Sequence, residues 1–432
     1  MLKTIVQQSQ SLVAFISGLN IALYQPQKRH LIRLLEALLV CNGRKTLSDL
    51  YRLWVGDLDP KTAADFFRES PWKVEAISGH RKRWMLKKML EMARQLGIEL
   101  VILIGVDDSL GKKGKATRHL QAVDFHHNHT ESTGKKQVYT NGYVYVEVHI
   151  QIGPIGFLFD TRLYQREKKV RQLNRDREAE QRLHYRSKYN LARAMLAELA
   201  DLLPKGHRVY VLFDSWYASA KLIKFCRRQR WHVICAVKSN RRIENKRFDH
   251  YNQALKHKPY QRITLEALDP NRKAPSYLVR TIPGHLQEIA EPVQAYISKK
   301  RPGDKHPKYF VCTDITLSAQ QALRYYQKRW PVEVDNIYLK ERLGLGDFRL
   351  QSFEAAEKWF AVVVLAINYL QFQAAQAYLR FHTRQPLADF IRQHRLGHLQ
   401  VLLRTVIEEA RQSQEVDAIL EKFLPVASSL VT

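Results

Sequence analysis

Two stretches of continuous apolar sequence, each followed directly by aspartate, constrain the fold of this chain most strongly. Residues 100–106 read LVILIGV and precede Asp107 and Asp108, and residues 209–213 read VYVLF and precede Asp214. Short runs of this kind, rich in branched residues, are typical of strands that are buried on both faces. Such strands need helices on each side of their sheet. The sequence therefore predicts an α/β protein.

The sequence around these two strands predicts the remaining elements of a sheet core. Residues 143–150 and 155–163, joined at the Gly153-Pro154 turn, predict a β-hairpin. Residues 166–203 are rich in charge and predict a single long helix, and residues 232–237 predict a further strand. The resulting order of elements predicts a mixed sheet with helices on both faces.

The acids at the ends of the two apolar strands are candidates for chemistry. Ligands and catalytic groups of open α/β sheets collect at the carboxyl ends of the strands. A carboxylate that emerges from a hydrophobic strand is costly unless it is paired or binds a metal. Taken singly, Asp108 or Asp214 also suits a cap for the turn that follows it. Together they favour a shared functional site.

Three other regions differ from this core in composition. Residues 1–95 have leucines at helical spacing and suit a helix-turn-helix-like DNA-binding unit and a plain helical bundle equally well. Residues 241–306, rich in Arg, Lys and Pro, predict a β-rich insertion, and apolar stripes after residue 353 predict helices. The predicted division is a helical DNA-binding region (1–95), the first part of the core (96–240), the β-rich insertion (241–306), the last part of the core (307–350) and a C-terminal helical region (351–432).

The charge of the chain favours a polyanionic partner. Its 432 residues include 70 Lys and Arg against 42 Asp and Glu, a formal net charge of +28. DNA, RNA and an acidic membrane surface all suit such a charge. The four cysteines form no Cys-x-x-Cys pair, the first residues turn polar too soon for a signal peptide, and the longest apolar stretch, residues 360–367, is too short to span a bilayer. We therefore expect a soluble protein of a reducing compartment, without a membrane partner.

A third acidic residue belongs to a group of aromatic and charged residues in the C-terminal half. The members of this group are spaced by 3, 4 and 7 positions: Tyr326, Arg329, Glu333 and Lys340. The spacing places all four on one stripe if the segment is helical. Pro331 either interrupts that helix or lies in its first turn, where proline is tolerated. By charge alone, the commoner interpretation of such a stripe is a solvated helix face.

The spacing Tyr-x2-Arg-x3-Glu-x6-Lys resembles the signature of a large group of bacterial insertion-sequence transposases, which are DDE enzymes. The segments Asp107-Asp108-Ser109 and Phe213-Asp214-Ser215-Trp216-Tyr217 resemble the first and second aspartate segments of that group. The resemblance covers roughly residues 98–370. It implies a ribonuclease-H-like mixed-sheet core, interrupted by a β-rich insertion and flanked by helical N- and C-terminal regions. The catalytic Glu is implied to lie in the last part of the core.

In that group two Asp and one Glu bind two Mg²⁺ ions, with Mn²⁺ as a possible substitute. The resemblance assigns these catalytic and metal-binding roles to Asp108, Asp214 and Glu333. Asp108 is preferred to Asp107 because the family's Asp usually precedes a hydroxyl residue, here Ser109, but the choice stays open by one residue.

The resemblance and the charge pattern also suggest DNA contacts. The residues expected to contact DNA are Tyr326, Arg329, Trp330, Lys340, Lys112 and Lys113. Trp330 suits stacking on a base or burial in the core. Lys112 and Lys113 lie in a basic loop after Asp108, which suits phosphate contact or simple solvation.

The resemblance implies a cut-and-paste DNA transposase of the type that excises through hairpinned ends. Its partner would be double-stranded DNA, both transposon ends and target, bound by a homodimer in the bacterial cytoplasm, associated with the nucleoid. Alternatives are a domesticated ribonuclease-H-like DNA nuclease, a catalytically inert DNA-binding regulator and, on charge alone, an RNA-binding protein.

Overall fold

The computed structural model describes residues 2–56, 59–267, 273–412 and 415–424. Its strands are β1 (Val101–Lys112), β2 (Asp124–His127), β3 (Tyr139–Ile152), β4 (Ile155–Tyr164), β5 (Arg208–Phe213), β6 (His232–Val237), β7 (Arg242–Ile243), β8 (Lys246–Arg247), β9 (Gln261–Thr264), β10 (Ser276–His285), β11 (Pro292–Lys299) and β12 (Lys308–Cys312). Its α-helices are α1 (Gln10–Gly18), α2 (Gln25–Val40), α3 (Leu47–Tyr51), α4 (Pro60–Arg68), α5 (Val74–Gln95), α6 (Glu167–Leu173), α7 (Lys188–Leu202), α8 (Ala220–Arg228), α9 (Phe248–Ala254), α10 (Ala319–Gln327), α11 (Trp330–Ile337), α12 (Phe353–Phe381), α13 (Leu387–Arg411) and α14 (Val416–Phe423).

The central sheet is mixed, and its middle strand is β1. Strand β1 pairs antiparallel with β3 and parallel with β5, and β5 pairs parallel with β6. The predicted hairpin is confirmed, because β3 and β4 pair antiparallel across a turn in which Gly153 has a φ of 55°. The order β4-β3-β1-β5-β6 is compatible with the expected ribonuclease-H-like core.

Strand β1 is buried on both faces, as its apolar sequence predicts. Ile102, Ile104 and Val106 join the large hydrophobic core that includes residues of α7. Val101 and Leu103 join a second core on the other face, together with residues of α10. Because helices cover both faces of the sheet, this is an α/β architecture of the predicted kind.

The predicted single helix over residues 166–203 is wrong. Helix α6 ends at Leu173, and α7 begins only at Lys188. Between them the Asn174 side chain donates to the carbonyl of Leu183 at 2.9 Å and accepts from its N–H at 2.8 Å. Ser187 then caps α7 by accepting a bond from the Asn190 N–H at 3.2 Å. Local side-chain bonds to the backbone compete with the helix and divide it in two.

Residues 241–306 contain β7–β11 and α9, and three of these strands extend the core sheet. Strand β12 pairs antiparallel with β6, β11 with β12, and β10 with β11. The outer strand β9 pairs antiparallel with β10. Strands β9–β11 of this segment therefore continue the core sheet edge to edge, whereas β7 and β8 pair with each other in a separate two-stranded sheet. Its assignment as an insertion stays a prediction, as do the other region boundaries.

The N-terminal helices and α12 share one hydrophobic core with the sheet, whereas α14 packs in a separate small cluster with α13. Helix α12 packs against β4, α5 and α2. It is long and apolar enough to cross a membrane by length and composition, yet 72% of its most apolar window is buried inside the protein. This burial is typical of the core helix of a globular protein.

Two cations of α5 are committed to this core. Lys82 Nζ lies 2.7 Å from Asp160 and 2.9 Å from Glu198. Arg81 donates to the carbonyls of Leu158 and Phe159 at 3.2 and 2.8 Å. Buried charges are tolerated when they are paired in this way. Arg81 and Lys82 therefore hold α5 on β4, and their charged groups do not face solvent.

Candidate active site

Strand β1 places its two adjacent aspartates on opposite faces of the sheet. Successive side chains of a strand point to opposite faces. Asp107 accepts a hydrogen bond from Nη1 of Arg329, the residue that precedes α11. Asp108 accepts instead from Lys188 Nζ at 2.6 Å and from the Tyr217 hydroxyl at 3.0 Å. The two carboxylates therefore have different partners on different sides of the sheet.

Helix α11 lies directly on the Asp107 face of β1. Gly105 shares this face, and a Cβ atom there would lie 2.5 Å from Cγ2 of Val332. Glycine is therefore needed for the helix to approach the strand so closely. Glu333 follows Val332 directly, and Arg329 lies one turn earlier. The close approach brings both charged residues to the end of β1.

Arg329 links the carboxylates of Asp107 and Glu333. Its Nη1 bonds to Asp107, and its Nη2 lies 3.1 Å from Oε1 of Glu333. Burial raises the pKa of Asp107 well above its ordinary value, and the Arg329 guanidinium opposes this rise. The neighbouring charges of Glu333 and Asp214 raise the pKa further. Acids that perturb one another in this way mark a site that favours a cation.

Asp214 lies at the carboxyl end of β5, the strand next to β1. Its Oδ1 accepts hydrogen bonds from the N–H groups of Trp216 at 2.9 Å and Tyr217 at 3.3 Å. The carboxylate therefore caps the turn after the strand, as the simpler interpretation of a strand-end aspartate predicts. Its charge also acts on Asp107. Asp214 can therefore cap the turn and also belong to a group of three acids with Asp107 and Glu333, called the acidic group below.

The acidic group has a donor set that fits Mg²⁺, although its carboxylate oxygens are not all within 4.8 Å of one another in the described part of the chain. Carboxylate oxygens are the hard ligands that Mg²⁺ prefers, and this ion usually keeps several waters. In the parts of the chain that the structure describes, the acids and histidines whose ligand atoms all lie within 4.8 Å of one another are Glu36, His394 and His398. The guanidinium of Arg329 stands between two members of the acidic group.

The sequence motif that contains Glu333 is divided between two helices. Helix α10 ends at Gln327, and Pro331 lies in the first turn of α11, where its missing N–H costs no helical bond. Tyr326 packs edge-on against Phe310, with ring centroids 4.8 Å apart, and burial raises its pKa to about 12. Tyr326 therefore helps to pack α10 against β12.

Trp330 is 51% exposed, so the interpretation that it is buried in the core is wrong. It stands at the start of α11, directly after Arg329. An exposed indole beside the acidic group offers an aromatic face to a ligand from solvent.

Lys340 reaches the same face of β1 as Arg329. It lies in a single π-helical turn, Tyr338–Arg342, that follows α11. Its Nζ donates to the Ser109 hydroxyl and to the Leu110 carbonyl, the latter at 3.0 Å. Burial lowers its pKa. Short π-helical turns are frequent at functional sites.

Lys112 is the last residue of β1 and not part of the predicted loop, which begins at Lys113. The exposed Lys112 ammonium pairs with Glu131. Lys113 points elsewhere: its Nζ donates to the Phe348 carbonyl at 2.5 Å and lies 3.9 Å from the Phe348 ring centroid. Burial lowers the pKa of Lys113 to about 8. In this conformation both ammonium groups have a partner within the protein, and the Lys112 side chain is the more exposed of the two.

Sequence reasoning missed the partners of Asp108. The predicted helix over residues 166–203 puts Lys188 in its interior, whereas Lys188 is the first residue of α7. Tyr217 lies in the segment around Asp214, but the sequence offers no sign that its hydroxyl crosses to the neighbouring strand. Both contacts depend on how β1, β5 and α7 pack together.

Residues 183–369 match the family model described as Transposase DDE domain. The matched range contains Asp214, Glu333 and the motif around Glu333, while Asp107 and Asp108 lie before it. Among curated proteins, none matches the chain. The match to the transposase DDE domain, which spans the second aspartate and the glutamate, supports a DDE transposase family and a transposase role for this chain.

Proposed function

We propose that this protein is a DNA transposase that binds transposon ends, cleaves them by metal-dependent phosphodiester chemistry and joins them to target DNA. The observation that carries the proposal is the convergence of Asp107, Asp214 and Glu333 on the α11 side of the sheet. Asp214 and Glu333 both lie in the range that matches the transposase DDE domain. A domesticated nuclease on the same core would cut DNA without joining it.

For the first acid we propose Asp107, which revises the preference for Asp108 drawn from Ser109. Asp107 shares its face with α11 and is linked through Arg329 to Glu333. Asp108 is paired with Lys188 on the other face and accepts a hydrogen bond from the Tyr217 hydroxyl. Because both carboxylates have a cationic partner, the choice rests on Glu333, which lies on the Asp107 side of the sheet and shares the Arg329 guanidinium with Asp107.

Asp107, Asp214 and Glu333 would hold two Mg²⁺ ions, with Mn²⁺ as a substitute. When bound, the ions would activate the attacking oxygen and stabilise the leaving oxygen of an in-line displacement. The residues of the chain prepare this site: β1 and β5 present two acids from adjacent strands, and α11 presents the third. Arg329 neutralises part of their charge, and its planar fork is suited to contact a phosphate instead.

The DNA would approach along the exposed side of α11. Trp330, which is half exposed, would stack on a base, and Lys340 and Arg329 would contact phosphates near the cut. Lys112 is exposed at the end of β1 and extends the basic surface, whereas Lys113 would have to leave Phe348. The net charge of +28 supports affinity for duplex DNA, with two ends held by a homodimer. We propose that the protein acts in the bacterial cytoplasm at the nucleoid, with excision through hairpinned ends.

Cleavage assays on a matched pair of variants test the proposal. The substrate is the inverted-repeat DNA found at the two sides of the gene, incubated with Mg²⁺. Asp107→Asn is expected to abolish cleavage, and Asp108→Asn to retain a measurable part of it; Asp214→Asn and Glu333→Gln are expected to abolish it as well. All four should bind the DNA with near-normal affinity, because each removes negative charge.

Strand transfer to a target plasmid, with precut 3′-hydroxyl ends, separates a transposase from a nuclease. Joining of the ends to the plasmid supports transposition. Cleavage without joining would instead identify a nuclease on this core, and unaltered cleavage by the Asp214→Asn variant would refute the acidic site itself.

A further inference from the structure

A second cluster of metal-ligating side chains lies away from the acidic group, between α2 and α13. His394 and His398 are four residues apart on α13 and therefore share one face of the helix. Their Nε2 atoms lie 2.6 and 2.9 Å from the same oxygen, Oε2 of Glu36 on α2. The three ligand atoms all lie within 4.8 Å of one another. Two imidazoles and a carboxylate thus converge on one point.

The cluster is enclosed by the protein. The side chain of Glu36 is fully buried, and those of His394 and His398 are 6% and 5% exposed. The other oxygen of Glu36, Oε1, accepts hydrogen bonds from the Ser9 N–H at 2.5 Å and the Ser9 hydroxyl at 2.7 Å. Ser9 therefore orients the carboxylate and leaves Oε2 to the histidines. A buried carboxylate of this kind requires a positive partner, either a protonated histidine or a bound cation.

The two helices are held in place independently of the cluster. Arg395, which follows His394, donates to the carbonyls of Leu39 and Cys41 at the end of α2, at 3.0 and 2.8 Å. The His394 ring packs against that of His398, with centroids 4.9 Å apart. Ligands that are fixed by their surroundings lose little freedom when an ion binds, which favours affinity.

We propose that Glu36, His394 and His398 bind a divalent transition-metal ion, with Zn²⁺ as the best fit. Two histidines and a glutamate are an established donor set for Zn²⁺, whereas Mg²⁺ prefers oxygen alone. Tetrahedral bonds of about 2.0–2.1 Å separate neighbouring ligand atoms by about 3.3 Å. The two contacts to Glu36 would open by about 0.4–0.7 Å to admit the ion. This inference does not depend on the proposed transposase activity.

The site would have a structural role. A cavity of about 460 Å³ borders Ser9, His394 and His398 and can supply water as a fourth ligand. Arg395 occupies the position at which zinc proteases with a His-Glu-x-x-His motif carry their general base. The chain therefore offers no base for hydrolysis at that position. The ion would instead join α2 to α13 and so fasten the N-terminal helices to the C-terminal region.

Metal content tests the proposal with the full chain. The protein is stripped with EDTA, equilibrated with ZnCl₂ in the presence of excess MgCl₂, desalted, and analysed for zinc. We expect close to one equivalent of zinc for the unaltered chain and for the controls His257→Ala, an exposed histidine on the surface, and Asp214→Asn. His398→Ala and Glu36→Gln are expected to lose at least tenfold in zinc affinity. Equal zinc retention by His398→Ala, or zinc that disappears with Asp214→Asn, would overturn the assignment.

Two measurements keep the test valid if a variant folds poorly. The melting temperature of the unaltered chain is expected to rise by about 3 °C at a hundredfold excess of free Zn²⁺ over Kd and to return with EDTA. Co²⁺ in place of Zn²⁺ should give the visible absorption of a tetrahedral site, lost in the milder variant His398→Gln. An unchanged melting temperature together with no Co²⁺ spectrum would show that the cluster is only a buried hydrogen-bonded group.

Discussion

Arg329 at the start of α11 forms an ion pair with Asp107 on β1, 222 residues earlier in the chain. The same guanidinium lies 3.1 Å from Glu333. One cation thus lies between two of the acids that we propose as metal ligands. Its positive charge lowers the electrostatic cost of bringing these acids together in the absence of metal.

Replacing Arg329 with alanine is expected to destabilise the metal-free protein by about 1–3 kcal/mol, because Asp107 loses its charged partner. Addition of Mg²⁺ should recover part of that loss by supplying the missing positive charge. Urea unfolding with and without Mg²⁺ measures both effects. Arg329→Lys is the matched control, since it keeps the charge and loses the fork. An equal loss in both variants, insensitive to Mg²⁺, would contradict this account.

The raised pKa of Asp107 predicts a pH dependence of stability in the metal-free protein. The folded state holds the proton of Asp107 at a pH where the unfolded chain has already lost it. The contribution of Asp107 to the free energy of unfolding is therefore fully present below its pKa in the unfolded chain, about 3.9. It is lost as the pH rises through the raised pKa of the folded state. The free energy of unfolding relative to Asp107→Asn should fall over that interval. A difference that is constant, or that grows with pH, would argue against the raised pKa.

Gly105→Ala is expected to displace α11, because the new Cβ would lie 2.5 Å from Cγ2 of Val332. Overpacking of this kind costs about 1–3 kcal/mol. Cleavage should fall as well, since Arg329 and Glu333 move with the helix. Val332→Ala in the same chain should restore part of both losses. Double-mutant analysis by thermal unfolding and DNA cleavage tests the coupling, and purely additive effects would show that helix and strand do not meet here.

Lys82→Met is expected to destabilise the protein by about 1–3 kcal/mol, because it removes a buried cation from Asp160 and Glu198, which keep only Arg162 and Arg81 as charged neighbours. Asp160 and Glu198 lie 2.7 and 2.9 Å from Lys82 Nζ. The control is Lys87→Met on the same helix, whose side chain is 74% exposed. That change should alter stability by no more than about 0.5 kcal/mol. Chemical denaturation of both variants measures the difference.

Trp330→Ala is expected to weaken binding to DNA ends without unfolding the protein. Its side chain is half exposed, so little packing is lost. Loss of stacking on one base corresponds to about 1–3 kcal/mol, or about a 5- to 150-fold rise in Kd. Trp72→Ala, which removes a buried indole, should instead lower stability by about 3–5 kcal/mol. Fluorescence anisotropy on labelled ends and a thermal melt distinguish the two effects.

Much of the sheet core was predictable from local sequence. The apolar run before Asp107, the hairpin around Gly153 and the strand before Asp214 all appear where their patterns indicate. Such runs are informative because a strand buried on both faces tolerates few polar residues. The divided helix between residues 166 and 203 was not predictable by periodicity, since the bonds of Asn174 to Leu183 form only when the loop closes.

The site was predictable in its segments but not in its geometry. The spacing around Glu333 predicted the third segment, which lies within the range of the family match. The choice between Asp107 and Asp108 could not be made from the chain alone, because a shift of one residue reverses the face of the sheet. It depends on which face α11 covers.

The sequence by itself determined most strands of the core sheet, because strand periodicity is a local property of the chain. It also determined the chemical character of the protein, since charge and residue type do not depend on folding. Only the tertiary structure decided which side chains meet: Asp107 with Arg329, and Glu36 with His394, which is 358 residues away. Contacts between distant residues arise from the docking of whole helices on the sheet, and no local pattern records where a helix will dock.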